Sequence, residues 1–203
     1  MKIAIIGAGN IGGAIASGLM QSKKSADYSI VISDPDTAKT SQLSQCYAGI
    51  TAEADNQKAI ADAQIVLLAV KPWLVEKVLT NITLHPTQIL ASVAAGVTFE
   101  QLKGYTNVEL PMFRIIPNTA ISLQASMNII SSYNATEEQE QMIMQMFNEL
   151  GLSMMVTEQQ MSAGTALASC GIAYVLKYIQ AGMQAGVEMG LYPHDAMMMV
   201  AQS

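Results

Sequence analysis

The 203-residue sequence holds two cysteines, two histidines and one tryptophan, and Arg114 is its single arginine among ten basic residues. Each scarcity excludes something. Cys46 and Cys170 share no C-x-x-C or Cys/His ligand spacing, so no metal site is expected and both read as buried free thiols. His85 lies before Pro86 and His194 after Pro193, each at a turn or helix start, and both read as surface residues. With one arginine and scattered lysines in a chain of net charge −6, no basic stripe is available to neutralise a phosphate backbone, which excludes nucleic acid as a partner. The longest apolar run, near Ile65 to Val70, falls far short of the roughly 20 residues that span a bilayer. No charged-then-apolar leader precedes the first apolar run, so a cytoplasmic location is expected. Charged residues make up 13% and hydrophobic residues 51%, a balance that argues against disorder and allows a large core.

What is present starts at the first residue. The chain opens MKIAIIGAGNIGGAIASGLM. Lys2 to Ile6 reads as a buried strand, and Ile11, Ile15, Leu19 and Met20 repeat at helical spacing. The glycines between them therefore stand at a strand-to-helix turn. There Gly7 permits the tight turn, Gly9 removes a side chain where a pyrophosphate would approach, and Gly12 lets helix and strand pack closely. Free amides at the helix start would face the anion. A second apolar run, Tyr28 to Ser33, ends at Asp34, about twenty residues on, where this fold places the acid that binds the adenosine ribose.

Further strands are expected at Ala63 to Val70, Gln88 to Val93, Phe113 to Ile116, Met127 to Ser131 and Leu152 to Val156, with helices between the earlier ones. That alternation predicts an α/β fold with a doubly wound, mainly parallel sheet. A helix over Glu137 to Leu150 carries its own punctuation: Thr136 as N-cap, Gln139 three residues on, and Gly151 past the end. From Glu158 the strand signals stop. The Thr157 to Gln160 capping pattern starts a long helix towards Gly190, in which Ala181, Gly182, Ala185 and Gly186 let another helix come close. Pro193 opens one more helix. Eleven of the fifteen methionines lie from Met142 onward, more grease than one helix can bury, and this predicts a subunit interface. The domains are expected at 1–157 and 158–203. Because the chain stops at Ser203 on the apolar run AMMMVA, the second domain is expected to be truncated or largely lost.

Four stretches, IGAGNIGGAIASGL, the segment from Ala54 through AVKPW, SVAAGVTFEQL and RIIPNTAISL, resemble in order and spacing the cofactor domain of pyrroline-5-carboxylate reductases. EQQMSAGTALASCGIAY, followed by AGVEMGL, resembles the start of that family's helical dimerisation domain. The resemblance implies a Rossmann-like domain followed by the start of an all-α dimerisation domain. It also implies NAD(P)H-dependent reduction of 1-pyrroline-5-carboxylate to L-proline by a homodimer or larger homo-oligomer. The implied cofactor contacts are Ile6, Gly7, Ala8, Gly9, Asn10, Ile11, Gly12, Asp34, Asn56, Ala69, Val70, Lys71, Pro72, Ala94 and Ala95. Glu158 matches an acid that helps bind the substrate nitrogen. Asp34 beside the ribose 2′ position, with Lys39 as the nearest cation and no arginine, favours NADH over NADPH.

The sequence also departs from the family. Ala168 to Tyr174 reads ASCGIAY where the family has SGSGPAY, and Ala120 replaces the last proline of PNTP. The Pro-Gly-Gly-Thr loop for the substrate carboxylate, with the family's threonine, would lie beyond Ser203, so the catalytic residue is unknown. Two alternatives stand beside this reading. One is a hydroxyacid dehydrogenase-like enzyme using Lys177, although Ala181 stands where that family has asparagine. The other is a noncatalytic nucleotide-binding relative.

Overall fold

Successive residues of a strand point to opposite faces. In β1 (Lys2–Ile6) this sends Ile3 and Ile5 into one apolar cluster and Ala4 and Ile6 into another. Both faces of the sheet must therefore be covered, as is usual for parallel strands. The computed structural model describes residues 1–203. After β1 come α1 (Asn10–Gln21), β2 (Ser29–Ser33), α2 (Thr37–Cys46), β3 (Ile50–Glu53), α3 (Asn56–Ile60), β4 (Ile65–Leu68), α4 (Val75–Leu79), β5 (Ile89–Ser92) and α5 (Phe99–Tyr105). Then follow β6 (Met112–Ile116), β7 (Ser126–Tyr133), α6 (Glu137–Asn148) and β8 (Gly151–Met155).

The eight strands form one sheet in the order β3-β2-β1-β4-β5-β6-β7-β8. Strands β1 to β6 run parallel, β7 runs antiparallel to β6, and β8 is parallel to β7. This is the expected doubly wound sheet. Its strand order reverses between β1 and β4, which opens a crevice at their carboxyl ends. Ile15 and Leu19 of α1 and Ile143, Met146 and Phe147 of α6 fill one face. Ile60 of α3, Val75 and Leu79 of α4, and Phe99 and Leu102 of α5 fill the other. The capping box that starts α6 forms as expected, Thr136 with Gln139. Strand β3 was not expected: it is the sheet edge, and only Ile50 of its four residues is buried, too little apolar content to register as a strand.

The helical segment differs from one long helix. A 3-10 turn over Glu158–Gln160, closed by a Thr157/Gln160 capping box, leads into α7 (Met161–Gly164). A π-helical stretch over Thr165–Cys170 follows and then α8 (Gly171–Glu188). The π stretch is tied to the loop after β6: Asn118 Nδ2 donates to the Ala168 carbonyl at 3.0 Å and Ser169 Oγ to the Pro117 carbonyl at 3.3 Å. One side-chain bond from each segment thus ties the widened turn to the loop after β6, and π turns are common near functional sites. Gly190 (φ +97°) ends the run and α9 (Pro193–Gln202) follows. The small residues of α8 admit α9 of the same chain. A Cβ on Gly182 would meet Val200 Cγ2 at 2.8 Å, and one on Gly186 would meet Ala196 Cβ at 2.8 Å. Cys46 and Cys170 are exposed, which corrects the expectation of buried thiols: Cys46 closes a largely polar helix and Cys170 lies on the open side of the π stretch. No helix is long and apolar enough to cross a membrane.

Candidate functional site

The glycine turn is clamped between two strands. The Gly7 amide donates to the Ser33 carbonyl at 2.7 Å, and the Ala69 amide to the Ile6 carbonyl at 2.8 Å. Gly7 has φ +108°, and a Cβ there would sit 2.6 Å from the Ala69 carbonyl oxygen. A Cβ on Gly12 would collide with the Gly7 carbonyl and lie 2.9 Å from Ala69 Cβ. Helix α1 can therefore seat on β1 and β4 only without those side chains. Gly9 is different: nothing lies within 4 Å of its missing Cβ. It opens outward, at the N-cap of α1, where no side chain caps the helix. The first intrahelical bond runs from the Gly13 amide to the Gly9 carbonyl, and the amides of Gly9, Asn10, Ile11 and Gly12 have no acceptor in the chain. Orphan amides over an open glycine, at the positive end of a twelve-residue helix, form an anion cradle.

Asp34 stands beside this cradle. Its Oδ2 accepts from the Ala8 amide at 2.7 Å and its Oδ1 from the Asp36 amide at 2.8 Å. The acid therefore braces the turn as well as facing the crevice. Asp36 caps α2 through the Ala38 amide and pairs with Lys39 at 3.1 Å. Hydrogen bonding to Lys39 holds the Asp36 carboxyl below its ordinary value, and the same bond raises Lys39, with Asp34 adding a smaller pull. Lys39 thus belongs to Asp36. Asn56, the first residue of α3, accepts the Ser33 hydroxyl at 2.7 Å, which turns it to the end of β2.

Ala69 and Val70 continue β4 out of the sheet. Lys71 is exposed, and Pro72 begins a 3-10 turn that carries Trp73, 75% exposed. The amide of Val93 bonds to the Leu68 carbonyl at 3.0 Å and places Ala94, buried, and Ala95, exposed, alongside. The turn at residues 6–12, Asp34, Asn56, residues 69–72 and Ala94–Ala95 all stand at the carboxyl ends of β1, β2, β4 and β5 or at the helix starts beside them.

Glu158 lies elsewhere. Its Oε1 accepts from Arg114 Nη1 at 2.7 Å and from the Phe99 amide at 2.8 Å. It lines a groove of about 590 Å³ together with Phe99, Ser131, Tyr133, Glu140 and Met155, and none of the residues at the crevice lines that groove. Arg114 went unassigned in the sequence, although a lone arginine inside the apolar run MFRII was a visible signal for a buried ion pair. Asn118, which reaches the π stretch, lies inside the PNT motif but was given no role. Lys177 is exposed and donates to Gln180 Oε1 at 3.0 Å. No group of three or more His, Cys, Asp or Glu side chains could hold a metal ion.

Residues 2–96 match the family model described as NADP oxidoreductase coenzyme F420-dependent, and residues 158–203 match that of pyrroline-5-carboxylate reductase dimerisation. Pyrroline-5-carboxylate reductase 1 of Dictyostelium discoideum is 30% identical over 99% of the chain, which spans only 39% of that protein. The crystal structure of 1-pyrroline-5-carboxylate reductase from Streptococcus pyogenes superposes with a TM-score of 0.89 at 27% identity, covering all of this chain and 76% of that one. The pyrroline-5-carboxylate reductase of Mycobacterium leprae is 32% identical across the full chain, which spans 70% of its length. Identity at that level across the full chain means that it belongs to the pyrroline-5-carboxylate reductase family.

Proposed function

We propose that this chain is an NAD(P)H-dependent oxidoreductase that reduces 1-pyrroline-5-carboxylate to L-proline, working in the cytoplasm as a homodimer or larger homo-oligomer. The observation that carries this reading is the coupling, in one chain, of an open amide cradle at β1–α1 to a helical segment of the reductase dimerisation type. The division falls at 157/158, with the cofactor domain before it.

A reduced pyridine nucleotide, when bound, supplies the hydride for the C=N carbon. The chain's own residues do the rest. The amides of Gly9 to Gly12 would take the pyrophosphate, and Gly9 leaves the space it needs. Asp34 would accept from the ribose hydroxyls. A 2′-phosphate there would meet Asp34 and Asp36, with the one nearby cation already paired, so NADH is the favoured form. Residues Ala69 to Pro72 and the turn of Ala94 and Ala95 would flank the nicotinamide half and orient it, the main service a hydride transfer asks of a protein. An imine that arrives protonated needs no acid from the chain, and Glu158 Oε1 is already engaged by Arg114 and the Phe99 amide.

The test is direct. Purified protein with NADH and 1-pyrroline-5-carboxylate should lose NADH absorbance and form proline in equal amounts. NADH that binds but is not consumed would leave the noncatalytic nucleotide-binding reading in its place.

A further inference from the structure

Arg114 occupies the middle of β6, a strand whose five residues are all buried, and its side chain is 9% exposed. A guanidinium taken out of water is costly unless it is paired and hydrogen-bonded. Here it has one charged partner, Glu158, and the ring of Phe99 lies 5.8 Å from its Cζ. The oxygen that receives Arg114 also receives the Phe99 amide. This amide is the first of α5. The capping box of that helix, Thr98 with Gln101, satisfies the amides of Thr98 and Gln101 and leaves that of Phe99 to an outside acceptor. Glu158 supplies it from 59 residues further along the chain.

Three parts of the molecule therefore meet on one carboxylate oxygen: the centre of β6, the start of α5, and the first residue of the helical segment. Phe99 follows Ala95 by four residues, so the start of α5 also ends the turn beside the nicotinamide position. Glu158 is itself held from behind, in a 3-10 turn closed by Thr157 and Gln160.

We propose that Arg114, acting through Glu158, is a positioning residue for the reaction. It fixes how the helical segment leaves the sheet relative to the turn of Ala94 and Ala95, and so sets where that segment stands against the position from which a bound nucleotide would give hydride to the imine carbon. The proposal rests on the reductase reading for its kinetic readout, but not for its geometry. It assigns the Glu158 carboxylate to the junction and not to the substrate nitrogen.

The experiment compares Arg114→Met, Arg114→Lys, Glu158→Ala and Glu158→Gln in the full chain. Three measurements are made on each: hydrogen exchange at the Phe99 amide, NADH affinity by quenching of the single tryptophan, and steady-state reduction of 1-pyrroline-5-carboxylate. Glu158→Ala should speed Phe99 exchange at least tenfold, and Arg114→Met should do so by a smaller factor of about three or more. Glu158→Gln keeps an oxygen for both donors and should change exchange less than threefold. NADH affinity should stay within about threefold throughout. Arg114→Met and Glu158→Ala should lower kcat at least tenfold with little change in KM for NADH, and Arg114→Lys and Glu158→Gln should recover most of the loss. If Glu158→Gln loses turnover as completely as Glu158→Ala while Phe99 stays protected, the charge acts on substrate and the proposal is overturned. Unchanged Phe99 exchange in Glu158→Ala overturns it as well. A wild-type chain that reduces no imine would defeat the reductase reading alone, because the exchange measurement still decides the junction; if Arg114→Met does not fold, the two Glu158 variants decide it.

Discussion

The carboxylate of Asp34 lies 2.7 Å from the amide of Ala8, so the acid that ends β2 is fastened to the turn that starts α1. The residue proposed to select the cofactor is thus also the one that holds the turn. NADH should bind at least tenfold more tightly than NADPH, a difference of about 1.4 kcal/mol. Asp34→Ser removes the charge while keeping a short acceptor near Ala8, and it should bring the two affinities within about threefold. Calorimetric titration of both nucleotides checks this, and tighter NADPH binding by the wild type would refute it.

Gly9 and Gly12 should respond in opposite ways. Gly9→Ala adds a methyl group where nothing lies within 4 Å, so thermal stability should hardly change while NADH affinity falls tenfold or more. Gly12→Ala drives a Cβ into the Gly7 carbonyl and against Ala69. That overpacking should cost about 1–3 kcal/mol of stability, visible as a lowered melting temperature without any nucleotide present.

These two glycines show what made the fold legible. Spacing marks Gly12, where packing leaves no room for a side chain, and Gly9, where the chain leaves open space, and the strands that alternate with helices announce themselves by buried isoleucine and leucine. The edge strand β3 did not, because an edge needs only one buried residue. The π stretch was hidden for a different reason: it is tied down by a bond from Asn118, 50 residues away in sequence. The same holds for the candidate site. Local motifs placed the crevice, whereas the Arg114–Glu158 pair, which spans 44 residues, could be suspected only from an arginine out of place among apolar neighbours. Lys39 was correctly near Asp34, but its commitment to Asp36 follows from the cap of α2.

Alkaline stability should depend on Tyr28. Burial, followed by the carboxylates of Glu149 and Asp27, raises its hydroxyl above the ordinary tyrosine value of 10.0. Because the unfolded chain then ionises first, the stabilisation is complete below about pH 10 and is lost as pH rises through the folded value. Tyr28→Phe should flatten the fall in melting temperature above about pH 10. An unaltered alkaline slope would show that other groups govern it.

Assembly should depend on the open face of the helical segment. Leu167 of the π stretch is 81% exposed, and Tyr174 and Tyr178 of α8 are 74% and 70% exposed, although α8 has already packed Gly182 and Gly186 against α9. Apolar side chains left out after that contact suit a two-fold interface of about 1,200–2,000 Å². Sedimentation velocity should show a dimer or larger species for the wild type, and Leu167→Glu with Tyr174→Glu should shift it to monomer. A wild type that stays monomeric at micromolar concentration would remove the basis for this face as an interface.

Lys177 offers the sharpest contrast between enzyme classes. A hydroxyacid dehydrogenase must move a proton on and off an alcohol oxygen, and losing the residue that does so costs about 10²–10⁴ in rate. A cyclic imine differs, because its nitrogen can arrive already protonated and only the carbon must accept hydride. Lys177 is exposed on α8, and its ammonium donates to Gln180 Oε1 on the same helix. That is the one hydrogen bond its ammonium makes in the chain. Lys177→Ala should therefore leave reduction of 1-pyrroline-5-carboxylate within about twofold of wild type, with no change in its pH profile. The decisive counter-result is a hundredfold loss of turnover that an added primary amine restores and Lys177→Arg, whose guanidinium cannot release its proton, does not. Were the lost turnover that of a hydroxyacid, in a chain that reduces no imine, the lysine would be a proton carrier and the chain an oxidoreductase of alcohols.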